Sequence, residues 1–358
     1  MTFRERLLTA INHGIPDIVP AYAINIDDIK PYLSYLGLSS RDELCDHLGI
    51  CQRRIWPRFI MPYEPYLEEG LHEEGVVTVF GTAGGAVSYS KDTDDPRPFL
   101  RVDSVSEIEN ADLWPSPDWW DYSVIPEKCE DVTGRGYAAV LGHWMPVLCQ
   151  VFDFFGMEEA MIRMYETPKI IEACIAKIEE FYLEYYRRLF EASRFKADIF
   201  CMGDDFATQR GMLISPEHWR KFLKPTYKKL FGLAKSYGLI VWLHACGQFI
   251  EVMPDLIECG IDVWETVQCH LKGNEPERLK REFGKDITFY GGINTQQTLP
   301  FGTPDDVRRE VRERIRVLGR DGGYICGPDH HIKPEFPIEN TLAMFDEISR
   351  FRCGGITL

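Results

Sequence analysis

The residues of this chain that are able to do chemistry gather at the ends of apolar runs. The most specific group is His244-Ala245-Cys246-Gly247, which follows Ile240-Val241-Trp242-Leu243. Side chains alternate along a strand with a period of two, so the imidazole and the thiol face the same way. Together they make half of a zinc site, with bonds of about 2.0–2.1 Å and 2.3 Å. The blander reading is a buried cysteine acting as a small hydrophobe. Asp204 and Asp205 follow Gly203 at the end of Ile199-Phe200-Cys201-Met202. They can serve as general acid or base, or hold a bound ligand; alternatively one caps a turn and the other pairs with Arg210. Glu265 lies within Val263–Val267, and Gln268 follows that run. Facing inward, Glu265 is a metal or substrate ligand; facing outward, it is solvated or paired. His143 follows Val140-Leu141-Gly142, Asn294 follows Gly291-Gly292-Ile293, and Cys326 and Asp329-His330-His331 follow Tyr324-Ile325. Asp204, Asp205 and Glu265 are the candidates for catalysis, and His143, Gln268 and Asn294 for substrate contact.

These groups need a scaffold that brings strand ends together. The apolar runs Tyr137–Trp144, Ile199–Gly203, Ile240–His244, Val263–Val267, Ile287–Gly291 and Tyr324–Gly327 read as strands buried on both faces, the mark of a parallel sheet. Ile18–Ile24 reads as a seventh; an eighth has no obvious place. Thr167-Pro168, Ser215-Pro216 and Thr303-Pro304 each predict a helix start, with a hydroxyl at the N-cap and proline behind it. Alternating strands and helices fit a doubly wound sheet or a (β/α)₈ barrel. No Gly-x-Gly-x-x-Gly follows the first strand, which disfavours the dinucleotide fold. The expectation is an α/β chain forming one TIM-type barrel over residues 1–358, with active residues at the C-terminal strand ends. Residues 64–131 read as an insertion covering one end, with a hairpin-like pair at Val76–Phe80 and Ala86–Ser90. The tryptophans Trp114, Trp119 and Trp120 read as a packed loop, and Tyr182, Tyr185 and Tyr186 as a helix face against the barrel.

The 358 residues include 40 Lys and Arg against 56 Asp and Glu, a formal charge of −16, with 45% hydrophobic residues. That charge argues against a nucleic-acid footprint and against docking on anionic lipid. No run approaches the ~20 apolar residues of a membrane span. The first residues, Met1-Thr2-Phe3-Arg4-Glu5-Arg6, open an amphipathic helix and not a signal peptide. Eleven scattered cysteines in a chain of this size suit a reducing cytoplasm. Residues 64–131 hold 17 acidic residues against 4 basic ones, so the acidity belongs to the expected insertion and not to the barrel. A partner protein could recognise such a cover, most strongly at low salt.

Gly203-Asp204-Asp205-x-x-Thr208-Gln209-x-Gly211-x-x-Ile214-Ser215-Pro216, His244-x-Cys246-Gly247, Phe289-Tyr290-Gly291-Gly292-Ile293-Asn294-Thr295-Gln296 and Pro337-Ile338-Glu339-Asn340 resemble the uroporphyrinogen decarboxylase superfamily. The resemblance implies a (β/α)₈ barrel and one of two chemistries. The porphyrinogen decarboxylases grip a polyanion with an N-terminal Arg-Gln-Ala-Gly-Arg loop, where this chain has Ala21-Tyr22-Ala23-Ile24-Asn25-Ile26-Asp27-Asp28. The corrinoid-dependent methyltransferases hold zinc through His-x-Cys and a distant third ligand. That implies His244 and Cys246 as ligands. The family's Pro-Gly-Cys stretch is Pro328-Asp329-His330 here, which gives His330 as the third ligand and Cys326 as its competitor. The activity implied is a zinc-dependent methyl transfer between a small substrate and a corrinoid carried by a separate protein. No Asp-x-His-x-x-Gly corrinoid signature occurs in this chain. The competing expectations are a decarboxylase and a non-catalytic binding barrel.

Overall fold

The computed structural model describes residues 1–60, 97–142 and 144–351. Seven parallel strands follow one another in space in chain order: β1 (Gln52–Ile55), β2 (Ala138–Leu141), β3 (Ile199–Gly203), β4 (Ile240–His244), β5 (Val263–Val267), β6 (Thr288–Ile293) and β7 (Tyr324–Pro328). The sheet curls until both edges meet the segment at Ala21, which bridges in parallel to Ile50 and to Cys326. Three backbone bonds carry the seam. Cys51 N–H donates to Ala21 O at 3.2 Å, Tyr22 N–H to Cys326 O at 3.2 Å, and Cys326 N–H to Pro20 O at 2.9 Å. The result is a closed barrel of eight positions, in which both edges of the seven-stranded sheet are paired at Ala21.

The strands β3, β4 and β5 coincide with the expected runs. β2 is shorter than Tyr137–Trp144, because Gly142 at φ 84° turns the chain out of the ladder. The expected strand Ile18–Ile24 shrinks to the bridge at Ala21; Pro20 has no N–H to contribute. The position without an obvious place is β1, whose Gln52-Arg53-Arg54-Ile55 reads as polar. Alternation resolves this: Arg53 reaches outward to Asp42 and Asp46, while Arg54 enters the barrel beside Tyr22. The expected hairpin at Val76–Phe80 and Ala86–Ser90 lies outside the described residues, and the expected insertion is described only from residue 97.

Helices follow where proline marks their starts, at Pro168–Ser193, Pro216–Phe222 and Pro304–Leu318. Ser215 and Thr303 cap theirs through the side chain. Thr167 does not: it also ends the Met157–Glu166 helix, which pulls its backbone away from the extended capping conformation. Tyr182, Tyr185 and Tyr186 are buried against the barrel, with Tyr186 edge-on to Phe200 at 4.7 Å. Trp114 packs edge-on to Phe154 at 5.5 Å and Trp120 to Tyr185 at 5.2 Å, as a packed loop requires. Among the described residues, no helix is long and apolar enough to cross a membrane.

One polar anchor holds the mouth of the barrel. Asp204 follows β3 and is fully buried. Its Oδ2 accepts from Val147 N–H (3.1 Å), Leu148 N–H (2.8 Å) and the Tyr227 hydroxyl (2.6 Å), and its Oδ1 from Cys149 N–H (3.1 Å). Those amides are the unpaired donors at the start of the Leu148–Phe155 helix, whose own N-cap residue, Val147, has no acceptor side chain. A carboxylate from a neighbouring strand end thus caps the helix.

Two stability measurements follow. Asp204→Ala strands three amides and a hydroxyl, and is expected to lower the unfolding free energy by about 3 kcal/mol. At Gly327 an added Cβ would lie 2.1 Å from Tyr22 O and 3.0 Å from the Tyr290 ring, on the barrel seam. Gly327→Ala is therefore expected to cost about 2 kcal/mol by overpacking. Urea titration reads both; a loss below about 0.5 kcal/mol in either variant would remove that contact from the account of the fold.

Candidate metal centre

The strand register builds the centre. His244 is paired with Gly203 on one side and with Glu265 on the other. Side chains at paired positions share a face, so Glu265 points into the barrel toward His244. Its Oε1 lies 3.0 Å from His244 Nδ1, and its Oε2 accepts from the Trp242 indole N–H. Trp242 sits two residues before His244, on the same face of β4. Arg54 from β1 reaches the same carboxylate at 4.0 Å and hydrogen-bonds the Tyr22 hydroxyl at 3.0 Å.

A carboxylate on Nδ1 leaves His244 Nε2 to face Cys246, whose Sγ is 3.5 Å away. Zinc bonds of about 2.05 Å and 2.3 Å meeting at a tetrahedral angle span about 3.6 Å. Ligand atoms of His244, Cys246 and His330 all lie within 4.8 Å of one another, the one such His/Cys/Asp/Glu group among the described residues. The donor set of these three described residues therefore fits a zinc ion. Cys326 stays out of this group. It is buried beside Tyr324, Glu310 and Arg314, on the face of β7 turned toward the helices.

The local chain is held from both sides. Cys246 N–H donates to Asp205 Oδ1 at 2.9 Å, and Gly247 N–H to Gln268 Oε1 at 3.0 Å. Gly247 has φ 94°, and a Cβ there would sit 2.6 Å from Thr208 O. Only glycine lets the turn after Cys246 tuck under that backbone. The Trp144 ring meets the His244 ring edge-on at 5.5 Å.

The electrostatics favour a cation at this point. Burial opposes charging His244, yet Cys246 and Glu265 outweigh it and hold the ring's pKa well above the ordinary value. Burial would also raise the pKa of Glu265, but His244, Arg54 and the Trp242 N–H keep its carboxylate below the usual range. His330 goes the other way: burial, with the His244 and His331 rings nearby, pushes it down to about 4. At neutral pH that ring keeps a free lone pair, the form a metal needs.

The remaining expected residues fall in different places. Asp205, Gln268 and His330 line an open cavity of about 370 Å³ with Cys246. Asn294 turns back to its own chain, where its Oδ1 accepts from Gln296 N–H (2.7 Å) and Gln297 N–H (3.0 Å). Asp204 is the helix cap described above. Asp205 makes no ion pair with Arg210 among the described contacts; the amide of Cys246 holds it instead. His143 lies outside the described residues. Arg54, Trp242 and Tyr22 were not anticipated. The bracketing apolar residues Ile50, Cys51 and Ile55 were the signal that could have exposed β1, and with it an inward Arg54.

The family model described as uroporphyrinogen decarboxylase (URO-D) matches residues 153–351. The methylcobamide:CoM methyltransferase MtaA of Methanosarcina barkeri is 24% identical over 355 residues, covering 96% of each chain. A methylated-thiol–coenzyme M methyltransferase of Methanosarcina mazei is 29% identical over 188 residues, 52% of this chain and 46% of that one. Among solved structures, a methyltransferase from Methanosarcina mazei superimposes with a TM-score of 0.67 at 20% identity, over 98% of this chain and 99% of that one. The fold is thus that of the TIM-type barrel expected, and the similarity to a methyltransferase runs the length of both chains. The chain belongs to the uroporphyrinogen decarboxylase (URO-D) family.

Proposed function

We propose that this chain is a zinc-dependent methyltransferase that moves a methyl group between a small substrate and a corrinoid held by a separate protein. The observation that carries the proposal is the convergence of His244, Cys246 and His330 within 4.8 Å, with Glu265 behind His244. Full-length similarity to the MtaA methyltransferase supports the same class of reaction. His244 Nε2, Cys246 Sγ and a ring nitrogen of His330 are the proposed ligands. Zinc bound there supplies a Lewis acid whose open position lowers the pKa of a thiol or polarises a methylated heteroatom.

The protein's own residues do the rest. Glu265 accepts from His244 Nδ1 and so turns Nε2 toward the proposed metal position. Trp242 and Arg54 hold Glu265 ionised and oriented. Asp205 sets the position of Cys246 through the backbone and faces the cavity, where Gln268 also stands. Asp204 acts at one remove, by holding the helix that follows β2. A decarboxylase gripping a polyanion would need several cations at the mouth. The described arginine inside the barrel, Arg54, is already engaged by Glu265 and Tyr22.

Metal analysis tests the proposal directly. The purified protein is expected to carry close to one zinc per chain, and the folded His244→Ala/Cys246→Ala variant less than about 0.2. Equal zinc in the two would end the metal assignment. Glu265→Gln is expected to weaken zinc about 10–100-fold in chelator competition, with the ligands intact. With free methylcobalamin as surrogate donor, the zinc-loaded protein is expected to methylate a thiol, and absence of turnover across thiols would reject methyl transfer.

A further inference from the structure

The cavity beside the candidate centre carries information about charge. Its described lining includes Asp205, Thr208, the amide side chains of Gln209, Gln268 and Gln296, and His330. One carboxylate is among the described lining residues, and no lysine or arginine. Asp205 is held at the rim of the metal-ligand group, because Cys246 N–H donates to its Oδ1 at 2.9 Å. Among the described residues its Oδ2 has no hydrogen-bonded partner. Behind the lining, Asp329 is fully buried one residue before His330, and its Oδ1 accepts from Thr295 N–H at 3.0 Å and from the Thr295 hydroxyl at 2.6 Å. Arg54, inside the barrel, is directed at Glu265 and Tyr22 and is not among the described residues that line the cavity.

We infer that this cavity takes a small polar substrate that is neutral or cationic, bearing a hydroxyl or ammonium group, and rejects one bearing a carboxylate or sulfonate. The inference rests on the methyltransferase reading and narrows its substrate. An anion entering the cavity gives up hydration and meets the Asp205 carboxylate, while the described lining offers it the Thr208 hydroxyl and the amides of Gln209, Gln268 and Gln296 in place of water. A hydroxyl or ammonium donates to the same carboxylate and to the glutamine carbonyls. Size agrees: about 370 Å³ accommodates a molecule of a few heavy atoms with its water.

Three thiols of one skeleton separate charge from shape: 2-mercaptoethanol, 2-aminoethanethiol and 2-mercaptoethanesulfonate. Two readouts are taken on the zinc-loaded full chain, the thermal shift on binding and the rate of methyl transfer from methylcobalamin. The neutral and cationic thiols are expected to bind roughly tenfold or more tightly than the sulfonate, with the same order in kcat/KM. Asp205→Asn keeps the acceptor for Cys246 N–H and removes the charge, so it is expected to shrink that ratio to within about threefold. Equal or tighter binding of the sulfonate, or a ratio unchanged in Asp205→Asn, overturns the inference. If the binding order holds and no thiol is methylated, the charge selection stands and the methyltransferase reading fails. Methylation without the binding order has the opposite meaning.

Discussion

A buried carboxylate at Glu265 constrains much of this barrel. It is fully buried within β5, and the parallel register sets it beside His244. A charge in that position is tolerated only if it is answered on every side, since stripping a partner from a buried pair costs about 3–5 kcal/mol. Three elements answer it. β4 supplies both His244 and Trp242, because a period of two keeps them on one face. β1 supplies Arg54. The Ala21 segment supplies Tyr22, which steadies the guanidinium. The polar strand that looks least suited to a barrel interior is therefore the one that balances the site.

The neighbouring aspartates show how one strand end divides its labour. Asp204 turns away from the mouth and satisfies the amides of the Leu148–Phe155 helix and the Tyr227 hydroxyl. Asp205 turns toward it and fixes the backbone of Cys246. The first sets where a helix begins, and the second sets where a thiol sits. Both roles draw on backbone amides.

The centre has the character of a cation site whatever occupies it. Cys246 and Glu265 stabilise positive charge at His244, while burial keeps His330 neutral. Soft and borderline donors of this kind select zinc over the hard cations, which prefer all-oxygen cages. Negative charge continues outward through Asp205 into the cavity wall.

The sequence by itself determined the barrel class, the strands β3, β4 and β5, the His244/Cys246 pair and the helix starts at Pro168, Pro216 and Pro304. These are local properties: apolar runs, a period of two, and proline with a preceding hydroxyl. The tertiary structure alone decided the rest. Strand β1 is hidden because its arginines are acceptable only when Asp42 and Asp46 wait on one face and Glu265 on the other. That His330 and not Cys326 lies beside His244 and Cys246 depends on how the chain turns at the end of β7, and the separate tasks of Asp204 and Asp205 depend on amides more than 40 residues away in sequence. Long-range charge balance leaves no mark in a window of neighbouring residues; it exists only once the barrel has closed.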